Sequence, residues 1–242
     1  MKFSLLLSAF LLSVTFSCTP KNSMDAQSNT VEKQTMKQAK NHTLELKKGE
    51  LLVVAIADQK DGKEELLQQY FGSVMPVGMK NGLAFLGQFH IDNIIKANFT
   101  PNNFIGLFKW PDMASVMAFS TEISPEQIRE LRMPIWNEFK GHMIALQEDK
   151  NLVVDENKLY EVKTLWTKDM VNVNSVSKNG GRIILNQPIA GYEDLLGNDA
   201  PNHILIIEWK DKKTADLFNK MDILKPKKEE SFYTHFTLFP QG

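Results

Sequence analysis

The sequence predicts an α+β fold in which a β-α-β-β-α-β unit occurs twice in tandem. Two phrases point there first: FIGLFKWPDMASVMAF from Phe104 to Phe119 and ILIIEWKDKKTADLF from Ile204 to Phe218. Each is an apolar run ending in a charged residue and Trp, then a charged turn, then a helical segment ending in Phe. Other segments match in the same order. KNGLAFLGQ at Lys80 corresponds to KNGGRIILNQ at Lys178, and PNNFIGLFKW at Pro101 to PNHILIIEW at Pro201, with offsets of 98 to 100 residues. FKGHMIAL at Phe139 corresponds to FYTHFTLF at Phe232, with an offset of 93. Matched segments at near-constant spacing mark an internal duplication.

In the first copy, the aliphatic run from Glu50 to Asp58 reads as a strand. Leu66, Leu67, Tyr70, Phe71 and Val74 recur at helical spacing, and Gly82 stops that helix. LAFLGQFHI and NFIGLFKW are the second and third strands. Pro111 then opens a helix, with Asp112 at its positive end and Met113, Val116, Met117 and Phe119 as its buried stripe. A short helix follows with Ser124 as N-cap and Pro125 at the first helical position. GHMIALQ closes the copy as a fourth strand. The second copy has strands near Leu159 to Trp166, Gly181 to Gln187, Asn202 to Trp209 and Phe232 to Phe239, with a helix from Lys212 to Asp222. Its first helix is cut short, because only about a dozen residues separate Trp166 from Gly180.

The N-terminus reads as an export and anchoring device. MKFSLLLSAFLLSVTFSCTP has one positive charge, then an apolar run from Leu5 to Phe16 that is too short to span a bilayer. The only cysteine, Cys18, follows directly, and its placement resembles the lipidation site of bacterial lipoproteins. The expected layout is a signal peptide over 1–17, a lipidated Cys18 with a polar tether over 18–45, and repeats over 46–150 and 156–242. The chain would then sit on the bacterial cell envelope, held to the bilayer by its acyl anchor. With Cys18 acylated, disulfides and thiolate chemistry are excluded from the folded part. Losing Lys2 with the signal leaves 27 basic against 29 acidic residues and no basic stripe, so nucleic acid is not expected as a partner.

A four-stranded sheet with helices on one face leaves the other face to cover. The strands read apolar on both sides, so the two copies are expected to cover each other, giving a monomeric body. The phrases IEWKDKKTADLF and FKWPDMASVMAF are similar to the strand-turn-helix phrase of the small DUF1330 and antibiotic-monooxygenase-like members of the dimeric α+β barrel superfamily. The resemblance runs from about Glu50 to Leu238 and implies two ferredoxin-like repeats forming one barrel within the chain. Some members of that superfamily oxidise aromatic substrates without metal or flavin, and others handle haem.

Candidate site residues are few. His142 and His235 stand at matched places in the two final strands and read two ways: a pair facing one cavity, or two packed histidines. Glu161 and Lys163 are unexpected polar residues in an apolar strand, able to line a pocket left open by the shortened helix. Trp110 and Trp209 read as core anchors, while Lys109 and Glu208 offer opposite charges at equivalent positions. No metal-ligand spacing, phosphate loop or nucleophile motif occurs, and no cofactor is expected. The expected role is a membrane-anchored module binding a small apolar ligand or a protein partner. A monooxygenase-like or haem-handling enzyme is the alternative.

Overall fold

The computed structural model describes residues 40–101, 104–167 and 173–238, so Cys18, the signal segment and Phe239 lie outside the described residues. In chain order the elements are β1 (Asn41–Leu46), β2 (Leu51–Gln59), α1 (Glu64–Lys80), β3 (Ala84–Lys96), β4 (Phe104–Trp110), α2 (Met113–Glu122), α3 (Pro125–Arg132) and β5 (Trp136–Ala145). They continue with β6 (Lys150–Asp155), β7 (Leu159–Trp166), α4 (Val173–Lys178), β8 (Gly181–Pro188), β9 (Gly191–Asp194), β10 (His203–Trp209), α5 (Lys212–Lys220) and β11 (Lys228–Thr237).

One antiparallel sheet runs β8-β10-β7-β11-β3-β4-β2-β5-β9. Its two ends are parts of one stretch of chain, since only Ile189 and Ala190 separate β8 from β9. The Ile189 amide donates to Asn202 beside β10, and the next amide, Ala190, donates to Met143 on β5. One stretch of chain thereby bridges the two ends of the sheet, which curves round as a barrel. Its inner face is filled by Val54, Ile56, Phe89, Leu107, Val162, Ile206 and Phe236, among others. The small β1–β6 sheet adds Leu44, Leu46, Leu152 and Val154 to the same core. On the outer face, α1 and α3 pack with Trp136, and α4 and α5 pack with Trp209.

Several elements form where local chemistry placed them. Asp112 caps α2 by accepting from the Ser115 amide at 2.8 Å, and Asp211 caps α5 by accepting from the Thr214 amide at 2.8 Å. Ser124 and Gln127 form a reciprocal capping box on α3. Trp110 packs on Phe119 and Trp209 on Phe218, with ring centroids 5.3 and 5.2 Å apart.

Two expectations are corrected, one open question is decided and three strands are added. The tether read over 18–45 ends earlier, because Asn41–Leu46 pairs with β6 and buries Leu44 and Leu46. The methionine stripe of α2 does not form: Met113 and Met117 are exposed, and α2 has no buried residue. Lys109 pairs with Glu50 at 2.9 Å and Glu208 with Arg182, so the two do not meet each other. β1, β6 and β9 are strands beyond those the sequence predicts.

Candidate functional site

The outer face of the first half carries a cavity of about 270 Å³ between the sheet and α1, α2 and α3. Its floor is hollow for a simple reason. Gly106 on β4 pairs with Ala55 on β2, which pairs with Gly141 on β5, so three adjacent strands present almost no side chain along one row. Phe108, Met143 and Trp136 stand around that row, and Tyr70, Val74, Phe119 and Ile128 supply the roof. Among the described lining residues the ionisable groups are Tyr70, Arg132 and Glu193.

Those three form one polar end. Arg132 Nε donates to Tyr70 Oη at 2.9 Å, its Nη1 pairs with Glu193, and the guanidinium lies 3.9 Å from the Phe139 ring centroid. Glu193 is on β9, so the second half of the chain contributes to the rim of the first half's cavity. Burial raises the Tyr70 pKa above the usual phenol value, with Arg132 opposing it, so the phenol stays a neutral donor and acceptor.

The same position in the second half is filled. With Trp110 and Trp209 aligned, Leu51 and Leu159 are their partners, so Val53 corresponds to Glu161 and Ala55 to Lys163. The row Gly106–Ala55–Gly141 becomes Leu205–Lys163–Ser231. Glu161 and Lys163 are 0% and 2% exposed. Glu161 Oε1 accepts from Ser231 and Asn219 at 2.8 Å and pairs with Lys163 at 2.8 Å, while Oε2 accepts from Trp209 Nε1 at 2.8 Å. Lys163 donates to Asn219 Oδ1 at 3.0 Å. These two residues do not line an open pocket. They are the filling of one, beneath α5, and the cavity lies in the half that has the long first helix.

The two histidines do not share a cavity. The strand register places His142 opposite Val54 and Phe232 opposite Val162, so Phe232 is the counterpart of His142, not His235. Aligning the histidines displaces the strands by three residues, and an odd displacement reverses the face. His142 points into the barrel and is 0% exposed, donating from Nδ1 to the Val54 carbonyl at 2.9 Å, while its Nε2 has no partner among the described residues. Burial pushes its pKa down to about 4. His235 faces outward, half-exposed, with Nδ1 2.8 Å from Asp92 Oδ1 and its ring stacked on His90. Among the described residues no group of three or more His, Cys, Asp or Glu side chains is arranged to hold a metal ion. No described helix is long and apolar enough to cross a membrane.

No protein-family profile matches the sequence, and no curated protein matches it. Among solved structures, the chain aligns over 80% of its length with 94% of an anthrone oxidase-like protein, at 9% identity and a TM-score of 0.46. It aligns over 81% with 98% of a proposed monooxygenase from Lactobacillus acidophilus, at 13% identity and a TM-score of 0.40. A proposed monooxygenase from Fusobacterium nucleatum aligns over 81% of this chain and 96% of its own, at 13% identity and a TM-score of 0.41. At such identities and scores the likeness says nothing of chemistry.

Sequence reasoning missed the cavity. Its signal was present as Ala55, Gly106 and Gly141 where the second half of the chain has Lys163, Leu205 and Ser231, but that comparison needs the strand register.

Proposed function

We propose that this chain is a binding protein that holds one small apolar molecule in the cavity of its first half. The carrying observation is the asymmetry of the two outer faces: one row of residues is emptied to Gly–Ala–Gly and roofed, and its counterpart is filled. Size selects the ligand class. A cavity of 150 Å³ accommodates benzene, so about 270 Å³ suits a molecule of roughly two rings. A haem needs more space than this, and the lining has no histidine to ligate its iron, so the residues do not fit that group. Of the lining groups able to act as a general base, Glu193 is engaged by Arg132 and burial keeps the Tyr70 phenol neutral, which favours binding over the oxidising alternative.

Two further readings accompany this one. The duplicated caps, Asp112 with Ser115 and Asp211 with Thr214, and the duplicated Trp–Phe contacts support descent of the two halves from one ferredoxin-like repeat. The sequence around Cys18 supports a lipid anchor on the cell envelope, and Cys18→Ala should abolish labelling by a clickable fatty acid. An unlabelled wild-type protein would end the anchor reading.

The binding test uses the chain's own fluorescence, because Trp110 and Trp136 both line the cavity. Titration with benzene, naphthalene and anthracene should give saturable quenching, strongest for naphthalene. Gly141→Leu should remove it without unfolding the protein, since a Cβ at Gly141 meets nothing closer than 3.6 Å and the branch extends into the cavity. Unsaturable quenching across the series, or binding that persists in Gly141→Leu, would overturn the assignment.

A further inference from the structure

We propose that His90 and His235 form a binding site for one divalent ion of the zinc, copper or nickel kind, placed across the seam where β3 joins β11. The two residues are direct partners on neighbouring antiparallel strands. Their rings are nearly parallel, at 12°, with centroids 5.1 Å apart. Opposed side chains of an antiparallel pair start about 5 Å apart at Cβ, so the two imidazoles reach a common ion by side-chain rotation alone. This seam lies away from the apolar cavity, whose lining includes neither residue.

The hydrogen bonds define which nitrogens are available. His235 Nδ1 lies 2.8 Å from Asp92 Oδ1, so the proton is on Nδ1 and the Nε2 lone pair is open. Gln88 Nε2 donates to His90 Nε2 at 2.8 Å, so this nitrogen is unprotonated as well and needs only the amide to swing aside. A carboxylate on the far nitrogen is the outer partner that a metal-bound histidine uses to hold its ring and strengthen its ligand nitrogen. Asp92 reaches that place through a β-bulge. Ile91 pairs with Thr234 and Asn93 with Tyr233, which leaves Asp92 as the extra residue, aimed at His235.

The ligand type follows from the donors. Imidazole nitrogens suit zinc, copper and nickel, whereas magnesium and calcium prefer oxygen. The His235 side chain is 43% exposed, so an ion enters from solvent and water completes its coordination. Because the ion would join strands from the two halves, it would favour the folded chain and raise its melting temperature.

The test titrates the untagged chain with zinc, nickel and copper chlorides, following heat and melting temperature. One ion per chain and a higher Tm are expected, both lost in His90→Gln and in His235→Gln. Asp92→Asn keeps both ligands and should bind about 10- to 100-fold more weakly. The copper form of the wild type should show two nitrogen ligands by electron paramagnetic resonance, a readout independent of how any variant folds. No saturable binding, a copper spectrum without two nitrogens, or unchanged binding in the His90→Gln/His235→Gln double variant would overturn the site.

Discussion

His142 shows how much one buried side chain can set the response of this protein to acid. The barrel interior surrounds it, the Val54 carbonyl takes its one proton, and burial holds its pKa down to about 4. In the unfolded chain an imidazole titrates near 6.5. Between those values the unfolded state binds the extra proton and the folded state does not. The stability is therefore complete above about pH 6.5 and is lost as pH falls towards 4, by on the order of 3 kcal/mol in all. His142→Phe, which copies the register counterpart Phe232, should flatten that dependence in urea melts taken between pH 7 and 4.5. An equally steep loss in the variant would place the acid sensitivity elsewhere. The pair Glu161 and Lys163 makes the opposite point, because there a charge is buried with every oxygen of Glu161 engaged. Removing one partner by Glu161→Ala should cost about 3 kcal/mol, since it leaves the buried Lys163 with only the more distant Glu229 carboxylate, at 3.8 Å, to offset its charge. The double change Glu161→Leu/Lys163→Met should cost much less, and a double-mutant cycle on denaturant midpoints checks it.

At the level of elements, what local chemistry dictates was legible and what depends on pairing was not. Asp112, Ser124 and Asp211 stand where the helices begin, and each accepts the amide three residues on. Asp112→Ala and Asp211→Ala should each cost about 1 kcal/mol. The two effects should add, because α2 and α5 lie on opposite halves and share no partner; strong coupling in thermal melts would contradict that separation. The strands bounded by Trp110 and Trp209 were equally plain, as apolar runs of strand length. β9 was not, being four residues of mixed polarity whose only reason to be a strand is the edge of β5 beside it. β1 was hidden for a related cause: Leu44 and Leu46 gain from alternation only when β6 and the barrel end are there to bury them. The site suffered most. Phe139 and Phe232 match by eye at an offset of 93, but the register offset of the final strands is 90, as His142 and Phe232 show. That error put His142 and His235 on one face and concealed the row of small residues, which is visible only once strands are laid side by side.

The whole molecule follows from closure of the sheet. A sheet whose inner face is apolar needs a second sheet, and the order of strands shows it within one chain: β3-β4-β2-β5 against β8-β10-β7-β11, joined at β11–β3 and again through β9. Both joints are made within the chain, so the two halves already cover each other's sheet without a second molecule. The body over residues 40–242 should therefore sediment with the mass of a single chain at all accessible concentrations. One surface could oppose this outcome. Phe71 and Met79 on α1 and Met113 and Met117 on α2 are exposed, and an apolar face of that kind is a common site of association. The two causes of a dimer are separable. Association through the helices should disappear in Met113→Gln/Met117→Gln and leave the fold intact. A dimer that survives this change would place the contact on another surface, such as the outer edge of β1, β6 or β8, and would overturn the single-chain expectation drawn from the joint at the consecutive Ile189 and Ala190 amides.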